Sequence, residues 1–371
     1  MEGSRLGSLF AAVASNNDPM NVWISHLGHA LPGPALPQAD IVDWLEPRLT
    51  PDSDRGRLRR FAARTGVASR HSVLDLFGAE GNAVYPRHAA HADAGLRSRA
   101  FARHSVPLAT AAVRQACPGA LPAITHVIVA TCTGAVAPGL DLQLVEALGL
   151  SRQVRRTMIT FMGCYAAVPA MRAAWDACRA DPAAIVLVVC CELSSLHFQP
   201  GPQDDALIGA CLFGDGATAA IVQSHEEPVG TGLAIIRDAS QIVPDTAAHM
   251  AWQASATGFT LRLSPAIGAS IGTAVGEVVD QLRQGTPQAS LRWAIHPGSL
   301  RMVNDAERLL GLLPTTLDPS RAALADAGNR SSATVLAVLE KQLTTAWNGP
   351  LALLACGPGL TIDGLLLERT T

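Results

Sequence analysis

The stretch Thr157-Met-Ile-Thr-Phe-Met-Gly163-Cys164-Tyr-Ala-Ala-Val-Pro-Ala-Met-Arg172 decides the fold of this chain. Its apolar, β-branched first part predicts a buried strand, and its alanine-rich last part predicts a helix that runs to about Arg179. Gly163 and Cys164 form the corner between the two. A helix N-terminus favours the thiolate, the nucleophilic form of cysteine, through its backbone N–H groups and its dipole. We therefore expect Cys164 to be a nucleophile.

Two later segments supply partners for this thiol. Ile295-His296-Pro297-Gly298 places a histidine directly after a predicted strand, and Gly328-Asn329 places an amide at the start of a predicted helix that ends near Ala346. The Gly-Asn pair weakly repeats the earlier Gly-Cys pair, since a helix of small residues follows each. In a duplicated α/β unit the two helix N-termini would meet at a pseudo-twofold axis. The sequence therefore predicts a Cys-His-Asn site in one pocket.

Predicted strands alternate with predicted helices along the chain, which is typical of the α/β class. The polar, turn-rich segment 226–231 is a natural boundary between two halves. We expect a leader at 1–20, an N-terminal half at 21–226 that carries the cysteine, and a C-terminal half at 227–371 that carries the histidine and the asparagine.

The composition fits a large protein that works in the cytoplasm. The chain has 371 residues, of which 49% are hydrophobic and 16% charged, so it can bury a large core. Its net charge of −3 gives no electrostatic sign of a nucleic-acid partner. Apolar runs such as 183–191 are too short to span a bilayer, and the start lacks the apolar centre of a signal peptide. The 8 cysteines form no Cys-x-x-Cys pair, which favours reduced thiols.

Several classes of cofactor enzyme are excluded by what the sequence lacks. Lys341 is the only lysine and lies within a predicted helix, so a Schiff-base or pyridoxal phosphate enzyme is disfavoured. No GxxxxGK motif and no GxGxxG motif after a strand is present. His88 and His91 have a loose metal-like spacing without a supporting cluster of ligands. We expect neither a metal nor an organic cofactor.

A thiolate, an imidazole and an amide suit carbon–carbon bond formation from thioesters. Cysteine takes up an acyl group as a thioester, and decarboxylation of a malonyl thioester then yields an enolate. His296 and Asn329 are donors that could stabilise the negative oxygen of that enolate, whereas a carboxylate in their place would repel it.

Six segments carry a resemblance to a known family. They are Gly163-Cys164-Tyr-Ala, Cys191-Glu-Leu-Ser-Ser195, Leu212-Phe-Gly-Asp-Gly-Ala217, His296-Pro-Gly298, Gly328-Asn-Arg-Ser-Ser-Ala333 and Gly357-Pro-Gly-Leu-Thr361. In this order they resemble the type III polyketide synthases, the chalcone-synthase-like branch of the thiolase superfamily, in their bacterial form. The resemblance begins near Val22 and spans nearly the whole chain.

The resemblance implies a five-layer αβαβα thiolase-like fold of two pseudo-duplicated halves, and a homodimer. It makes Cys164 the acyl-carrying nucleophile and His296 its ion-pair partner, and it assigns His296 and Asn329 to decarboxylation. The implied activity is that of an acyltransferase. Malonyl-CoA is condensed iteratively onto an acyl-CoA starter, and the chain then cyclises to a pyrone, a resorcinol or a similar product.

The resemblance also implies a set of substrate-binding residues. Arg57, Arg60 and Arg64 match positions that hold the CoA phosphates, and their spacing places them on one helical face, although a solvated face has the same pattern. Phe213 matches the gatekeeper between the CoA tunnel and the cavity, where a core aromatic is the alternative. Five further residues are placed at the cavity: Cys132, Ser194, His197, Trp252 and Leu261.

Leu261 stands where the plant enzymes usually carry a second gatekeeper phenylalanine, and Trp252 stands where they have a small residue. Loss of one aromatic gate would open space, which favours a long-chain aliphatic starter over a phenylpropanoid one.

Two other functions remain open at this point. A ketoacyl-ACP synthase III-like enzyme shares the Cys-His-Asn set and condenses once on an acyl carrier protein, although that family usually follows its histidine with Gln-Ala-Asn and not with Pro-Gly, as after His296. An acyl carrier protein could also deliver the starter. The second alternative is a thiolase-fold binding protein that keeps the pocket without catalysis.

Overall fold

The computed structural model describes residues 21–49, 53–86, 93–199, 203–264 and 266–370, without the side chains of 53–55, 269 and 273. The expected leader at 1–20 and the pair His88 and His91 lie outside the described residues. The boundary expected near 226 stays a prediction.

Helices are spread along the whole described chain, as the α/β prediction requires. They are α1 Gln38–Leu45, α2 Ser53–Thr65, α3 Ala79–Val84, α4 Ala94–Ala116, α5 Leu140–Leu148, α6 Ala167–Ala180, α7 Asp204–Leu212, α8 Ile267–Arg283, α9 Leu300–Leu309, α10 Asp318–Ala327 and α11 Ala333–Gln342.

Strands alternate with these helices. They are β1 Asn21–Ala30, β2 Leu36–Pro37, β3 Ser69–Arg70, β4 His126–Thr131, β5 Arg155–Thr160, β6 Ile185–Leu193, β7 Asp215–His225, β8 Leu233–Ile242, β9 Met250–Ser255, β10 Gly258–Leu263, β11 Arg292–Ile295, β12 Gly349–Gly357 and β13 Thr361–Arg369. In the described residues, nine of them form one sheet in the order β11-β12-β13-β8-β1-β7-β6-β4-β5, while β9 pairs with β10 and β2 with β3.

Alternate residues of the strands face different helical layers, as the pleat requires. Val127 and Val129 of β4 face the core beneath α4 and α5, whereas Ile128 faces a second core with α6 and α11. In the other half Leu353 joins this second core, and its neighbour Leu354 faces a third core beneath α8. The layers are therefore α4/α5, the first half-sheet, α6/α11, the second half-sheet and α8, which confirms the thiolase-like αβαβα fold.

Three details differ from the sequence-based expectation. β5 is not a buried strand, because it lies at the end of the sheet and its residues are exposed or half-buried. Asn329 does not begin a helix, since α11 begins at Ala333. The hairpin of β9 and β10 was not predicted, and it covers the region that becomes the site described next.

Candidate active site

Cys164 lies at the corner that the sequence predicts. A single 3-10 turn, Gly163–Tyr165, follows β5, and α6 begins two residues later. Gly163 has φ of +78°, and a Cβ there would lie 2.4 Å from Cδ of Pro358, so only glycine fits this turn. Its N–H donates to Sγ of Cys132 at 2.9 Å, which anchors the turn beside the end of β4.

Asn329 reaches the thiol from the other half of the chain. Its Nδ2 lies 3.9 Å from Sγ of Cys164 and donates to the carbonyl oxygen of Gly298 at 3.2 Å. The N–H of Ser331 donates to its Oδ1 at 2.8 Å. Oδ1 lies 4.0 Å from Sγ of Cys164, so both ends of the amide lie beside the thiol.

His296 follows β11, and its backbone N–H donates to the carbonyl oxygen of Leu354 at 2.8 Å. The residue is only 3% exposed, and within the described residues neither ring nitrogen has a hydrogen-bond partner. Buried polar atoms normally have partners. The imidazole is therefore free to bind a substrate atom or to accept a proton.

The three side chains line one cavity of about 640 Å³. Five of the expected substrate residues also line it, namely Cys132, Ser194, Phe213, Trp252 and Leu261. The structure thus brings residues from both halves together, as the weak internal repeat predicts.

A second cavity of about 400 Å³ adjoins the first. Ser194, Phe213, Trp252 and Leu261 line both cavities and form the partition between them. Residues such as Trp44, Leu45, Leu76, Tyr85 and Phe198 line only the second. Space therefore continues beyond Phe213, away from the thiol.

His197 lines the second cavity and not the one that holds the thiol. Its Nε2 donates to the carbonyl oxygen of Thr133 at 2.7 Å, and its Nδ1 accepts from the N–H of Phe259 at 3.3 Å. Both ring nitrogens are occupied, so this residue supports the wall and joins the β9–β10 hairpin to the end of β4.

The three arginines lie on α2 outside the lining of either cavity, although Phe61 between them lines the larger one. Arg60 and Arg64 are exposed. Arg57 is half-buried and forms an ion pair with Asp204 at the start of α7. The helical face expected from their spacing is present.

Burial opposes a charge on Cys164 and on His296 when each group is taken singly. It raises the pKa of the Cys164 thiol to about 11, a shift that hydrogen bonds with Ser331 and Asn329 only partly oppose and that the nearby Glu192 carboxylate reinforces. Burial, helped by the charge of Arg330, lowers the pKa of His296 to about 3. Desolvation therefore opposes the thiolate that the helix N-terminus favours, and the role of Cys164 as a nucleophile stays a prediction.

Sequence reasoning missed two residues that shape the site. Ser331 has φ of +48°, a conformation that is uncommon outside glycine, and its N–H orients Asn329. Glu192 is fully buried and accepts hydrogen bonds from Ser332 Oγ at 2.5 Å, Thr133 Oγ1 at 2.8 Å and the Cys132 N–H at 2.9 Å. The polar residues around Asn329 and the lone acidic residue within the apolar run of β6 were the available signals.

Comparison with known proteins decides the family. The N-terminal domain of chalcone and stilbene synthases matches residues 13–226, and the C-terminal domain matches residues 234–371. The chain belongs to this family. The family is that of the type III polyketide synthases, so the enzyme is a condensing acyltransferase, and the thiolase-superfamily resemblance of the sequence is confirmed.

Curated relatives and solved structures agree with this family. The chain is 31% identical over 403 aligned positions to type III polyketide synthase 10 of Oryza sativa, with 100% of this chain and 98% of the relative covered. It is 30% identical to the alpha-pyrone synthesis polyketide synthase-like protein Pks18 of Mycobacterium tuberculosis, with 93% and 90% covered. The crystal structure of PKS-I from the brown alga Ectocarpus siliculosus superposes with a TM-score of 0.87 at 25% identity, covering 95% of this chain and 99% of that one.

Type III polyketide synthases use malonyl-CoA and acyl-CoA starters, and they are typically dimers. In the described part of this synthase no helix is long and apolar enough to cross a membrane. Nor do its described residues include a group of three or more His, Cys, Asp and Glu side chains that could hold a metal ion.

Proposed function

We propose that this synthase condenses malonyl-CoA iteratively onto an acyl-CoA starter bound to Cys164 and then cyclises the product. The observation that carries the proposal is the meeting of Cys164, His296 and Asn329 in one cavity, with Asn329 Nδ2 at 3.9 Å from the thiol. A thiol, an unpartnered buried imidazole and an oriented amide are the groups that the reaction needs.

Acylation is the first step. His296 accepts the proton of the Cys164 thiol, and the attraction between the resulting charges offsets the burial that otherwise keeps both groups neutral. The thiolate sulfur attacks the carbonyl carbon of the starter thioester. The new carbon–sulfur bond to Cys164 forms, the bond to the CoA sulfur breaks, and CoA leaves with a proton.

Condensation follows. Malonyl-CoA loses carbon dioxide, and the electron pair of the broken bond forms an enolate whose oxygen accepts hydrogen bonds from His296 and Asn329. The enolate carbon attacks the acyl carbonyl, and Cys164 leaves as the thiolate. The extended chain is then a β-ketoacyl-CoA that reloads Cys164 for the next cycle.

The starter is proposed to be a long aliphatic acyl group. Two features support this. Leu261 occupies the partition between the cavities where a phenylalanine would fill more space, and the second cavity extends the volume beyond Phe213 by about 400 Å³. The relative named for alpha-pyrone synthesis supports a pyrone among the products.

A homodimer and a CoA-linked starter complete the proposal. The outer strand β5 ends the sheet with exposed residues, an edge that a second copy could cover. Size-exclusion chromatography with light scattering would report a mass of two chains. An acyl carrier protein is the second candidate donor, and the experiment below compares the two donors directly.

The test is mass spectrometry of products from the purified enzyme with malonyl-CoA and starters of increasing chain length, each delivered on CoA or on an acyl carrier protein. We expect pyrones or resorcinols that carry two or more extensions, with long-chain starters preferred, an acyl group mapped to Cys164, and no product from Cys164→Ala. Products of a single condensation, or products made only when a carrier protein delivers the acyl group, would contradict the proposal and indicate a ketoacyl-synthase reaction.

A further inference from the structure

The opening of the larger cavity is marked by charged side chains that remain in contact with solvent. Asp204 of α7 and Arg301 of α9 line this cavity, and their side chains are 60% and 76% exposed. Asp205 and Asp305 line it as well. Three carboxylates thus stand at the opening near which the CoA phosphates would lie, which is unfavourable for a ligand that carries several phosphate charges.

One of these carboxylates already has a cationic partner on α2. Helix α2 packs along α7, and Sγ of Cys211 lies 3.6 Å from the carbonyl oxygen of Leu58 across this contact. Arg57, the residue before Leu58, forms the ion pair described above with Asp204 at the start of α7, and one third of the Arg57 side chain is exposed. Asp204 therefore holds an arginine to which the family resemblance gives a role in binding the CoA phosphates.

We propose that Asp204 is a specificity-determining residue that competes with the CoA phosphates for Arg57. This inference rests on the proposed function, because it takes CoA thioesters as the substrates, and it takes Arg57 as the phosphate-binding residue that the family resemblance implies. A CoA thioester that reaches Cys164 displaces the Asp204 carboxylate from the guanidinium, and the carboxylate returns when free CoA leaves.

The competition has a use in an iterative enzyme. Every cycle admits one malonyl-CoA and releases one CoA through the same opening, so strong retention of free CoA would slow each extension. A carboxylate that replaces the departing phosphate favours release. The competing carboxylate weakens the binding of every ligand that carries the CoA phosphates, and it leaves the binding of a ligand without phosphates unaffected.

The experiment measures binding of free CoA and of pantetheine to the full-length enzyme by titration calorimetry. For Asp204→Asn we expect CoA to bind about two- to five-fold more tightly, the range set by one solvent-exposed ion pair. Pantetheine, which has no phosphate, should bind equally to both proteins. The gain should shrink in 0.5 M salt, because exposed charges are screened there.

The matched control is Asp43→Asn. Asp43 is an exposed carboxylate of α1 that pairs at 2.8 Å with Arg59 of α2, the helix that carries Arg57. Asp43→Asn therefore changes the net charge as much as Asp204→Asn does and leaves the partner of Arg57 in place. CoA affinity should not change. In an Arg57→Gln background, the gain from Asp204→Asn should fall to the smaller effect of removing one exposed charge at the opening, since the cation for which the two anions compete is gone.

Unchanged or weaker CoA binding by Asp204→Asn would overturn the inference, as would an equal gain for pantetheine or for Asp43→Asn. If Arg57→Gln itself leaves CoA binding unchanged while Cys164-dependent condensation persists, Arg57 is not a phosphate residue and the inference falls, whereas the proposed reaction stands. If the wild-type enzyme forms no polyketide, the proposed function fails independently of this binding result.

Discussion

Phe213 and Asn329 are joined by a parallel β-bridge that connects the two halves of the chain. The N–H of Asn329 donates to the carbonyl oxygen of Leu212 at 2.9 Å, and the N–H of Gly214 donates to the carbonyl oxygen of Asn329 at 3.0 Å. Phe213 lies in the partition between the cavities, and the Asn329 amide faces the thiol. The bridge therefore fixes the position of the partition relative to the donor that stabilises the enolate.

Asn329→Ala should abolish decarboxylation and spare acylation. Loss of an oxyanion donor costs about 10²–10³-fold in rate, whereas the thiol and His296 that load the starter remain. Asn329→Asp should be at least as impaired, because its negative charge opposes the enolate. Release of labelled carbon dioxide from malonyl-CoA measures decarboxylation, and the intact mass of the acyl-enzyme measures acylation.

The control for this pair is Asn304→Ala, which removes an exposed amide that contacts Arg321 of α10 and should keep both steps. Decarboxylation at the wild-type rate by Asn329→Ala would refute the role of the amide.

His296→Gln should slow alkylation of Cys164 and change its pH dependence. Without a proton acceptor, the thiol keeps the pKa of about 11 that burial gives it, so its thiolate fraction rises about tenfold per pH unit from pH 7 to 9. In the wild-type enzyme, transfer of the proton to His296 should make alkylation at pH 7 roughly tenfold faster or more and less dependent on pH. Iodoacetamide labelling, followed by peptide mass spectrometry, gives both profiles. Superimposable profiles would exclude His296 as the proton acceptor.

Gly163→Ala should destabilise the corner that carries Cys164. A Cβ there meets Pro358 Cδ at 2.4 Å, and φ of +78° is itself unfavourable for alanine. We expect a loss of roughly 2–4 kcal/mol in the free energy of unfolding, with acylation impaired. Gly311→Ala separates the two causes, because φ there is +60° but no atom lies within 4 Å of the added Cβ.

Gly311→Ala should cost only about 1 kcal/mol, the price of the backbone conformation alone. Urea denaturation of both variants gives the comparison. Equal losses would mean that the contact with Pro358 relaxes freely.

The sequence predicts that Cys164 and Asn329 lie in one pocket, because each follows a glycine and precedes a predicted helix of small residues. The family motifs identify His296. Features that depend on the packing of segments far apart in the sequence could not be predicted from local patterns. An apolar, β-branched run has the same pattern at the end of a sheet as at its centre, so the exposure of β5 could not be read from it. The pKa of Cys164 depends on how completely other elements exclude water, and the pair of Arg57 with Asp204 depends on the packing of α2 on α7.

His197 should make the fold sensitive to acid. Burial lowers its pKa to about 4, so between pH 6.5 and about 4 the unfolded chain binds a proton that the folded chain does not. Stability from this group is complete above pH 6.5 and is lost as the pH falls, by about 1 kcal/mol between pH 7 and 5.5. His197→Gln should be less stable at pH 7 but should lose less on acidification.

Urea denaturation of both proteins at pH 7 and 5.5 measures how much unfolding free energy each loses on acidification. The contributions of the other titrating groups cancel when the two losses are subtracted. The control is Asn304→Ala, which removes an exposed side chain that does not titrate and should keep the wild-type pH dependence. An equal loss in His197→Gln and wild type would rule out this histidine as the source.

Trp252→Ala should lengthen the products. The indole Nε1 donates to the carbonyl oxygen of Cys132 at 2.8 Å, and the ring lies between the two cavities at 5.7 Å from Phe259. Removing the ring joins the cavities beside the thiol, so a growing chain gains room before it must cyclise or leave. We expect the ratio of longer to shorter products to rise roughly tenfold.

Trp252→Phe keeps an aromatic partition without the hydrogen bond, and its product lengths should stay close to wild type. Trp175→Ala, in the C-terminal part of α6 where the ring stacks with Arg179, controls for the loss of any tryptophan. Product mass spectrometry with one starter distinguishes the variants, and an unchanged length distribution in Trp252→Ala would mean that the partition does not limit extension.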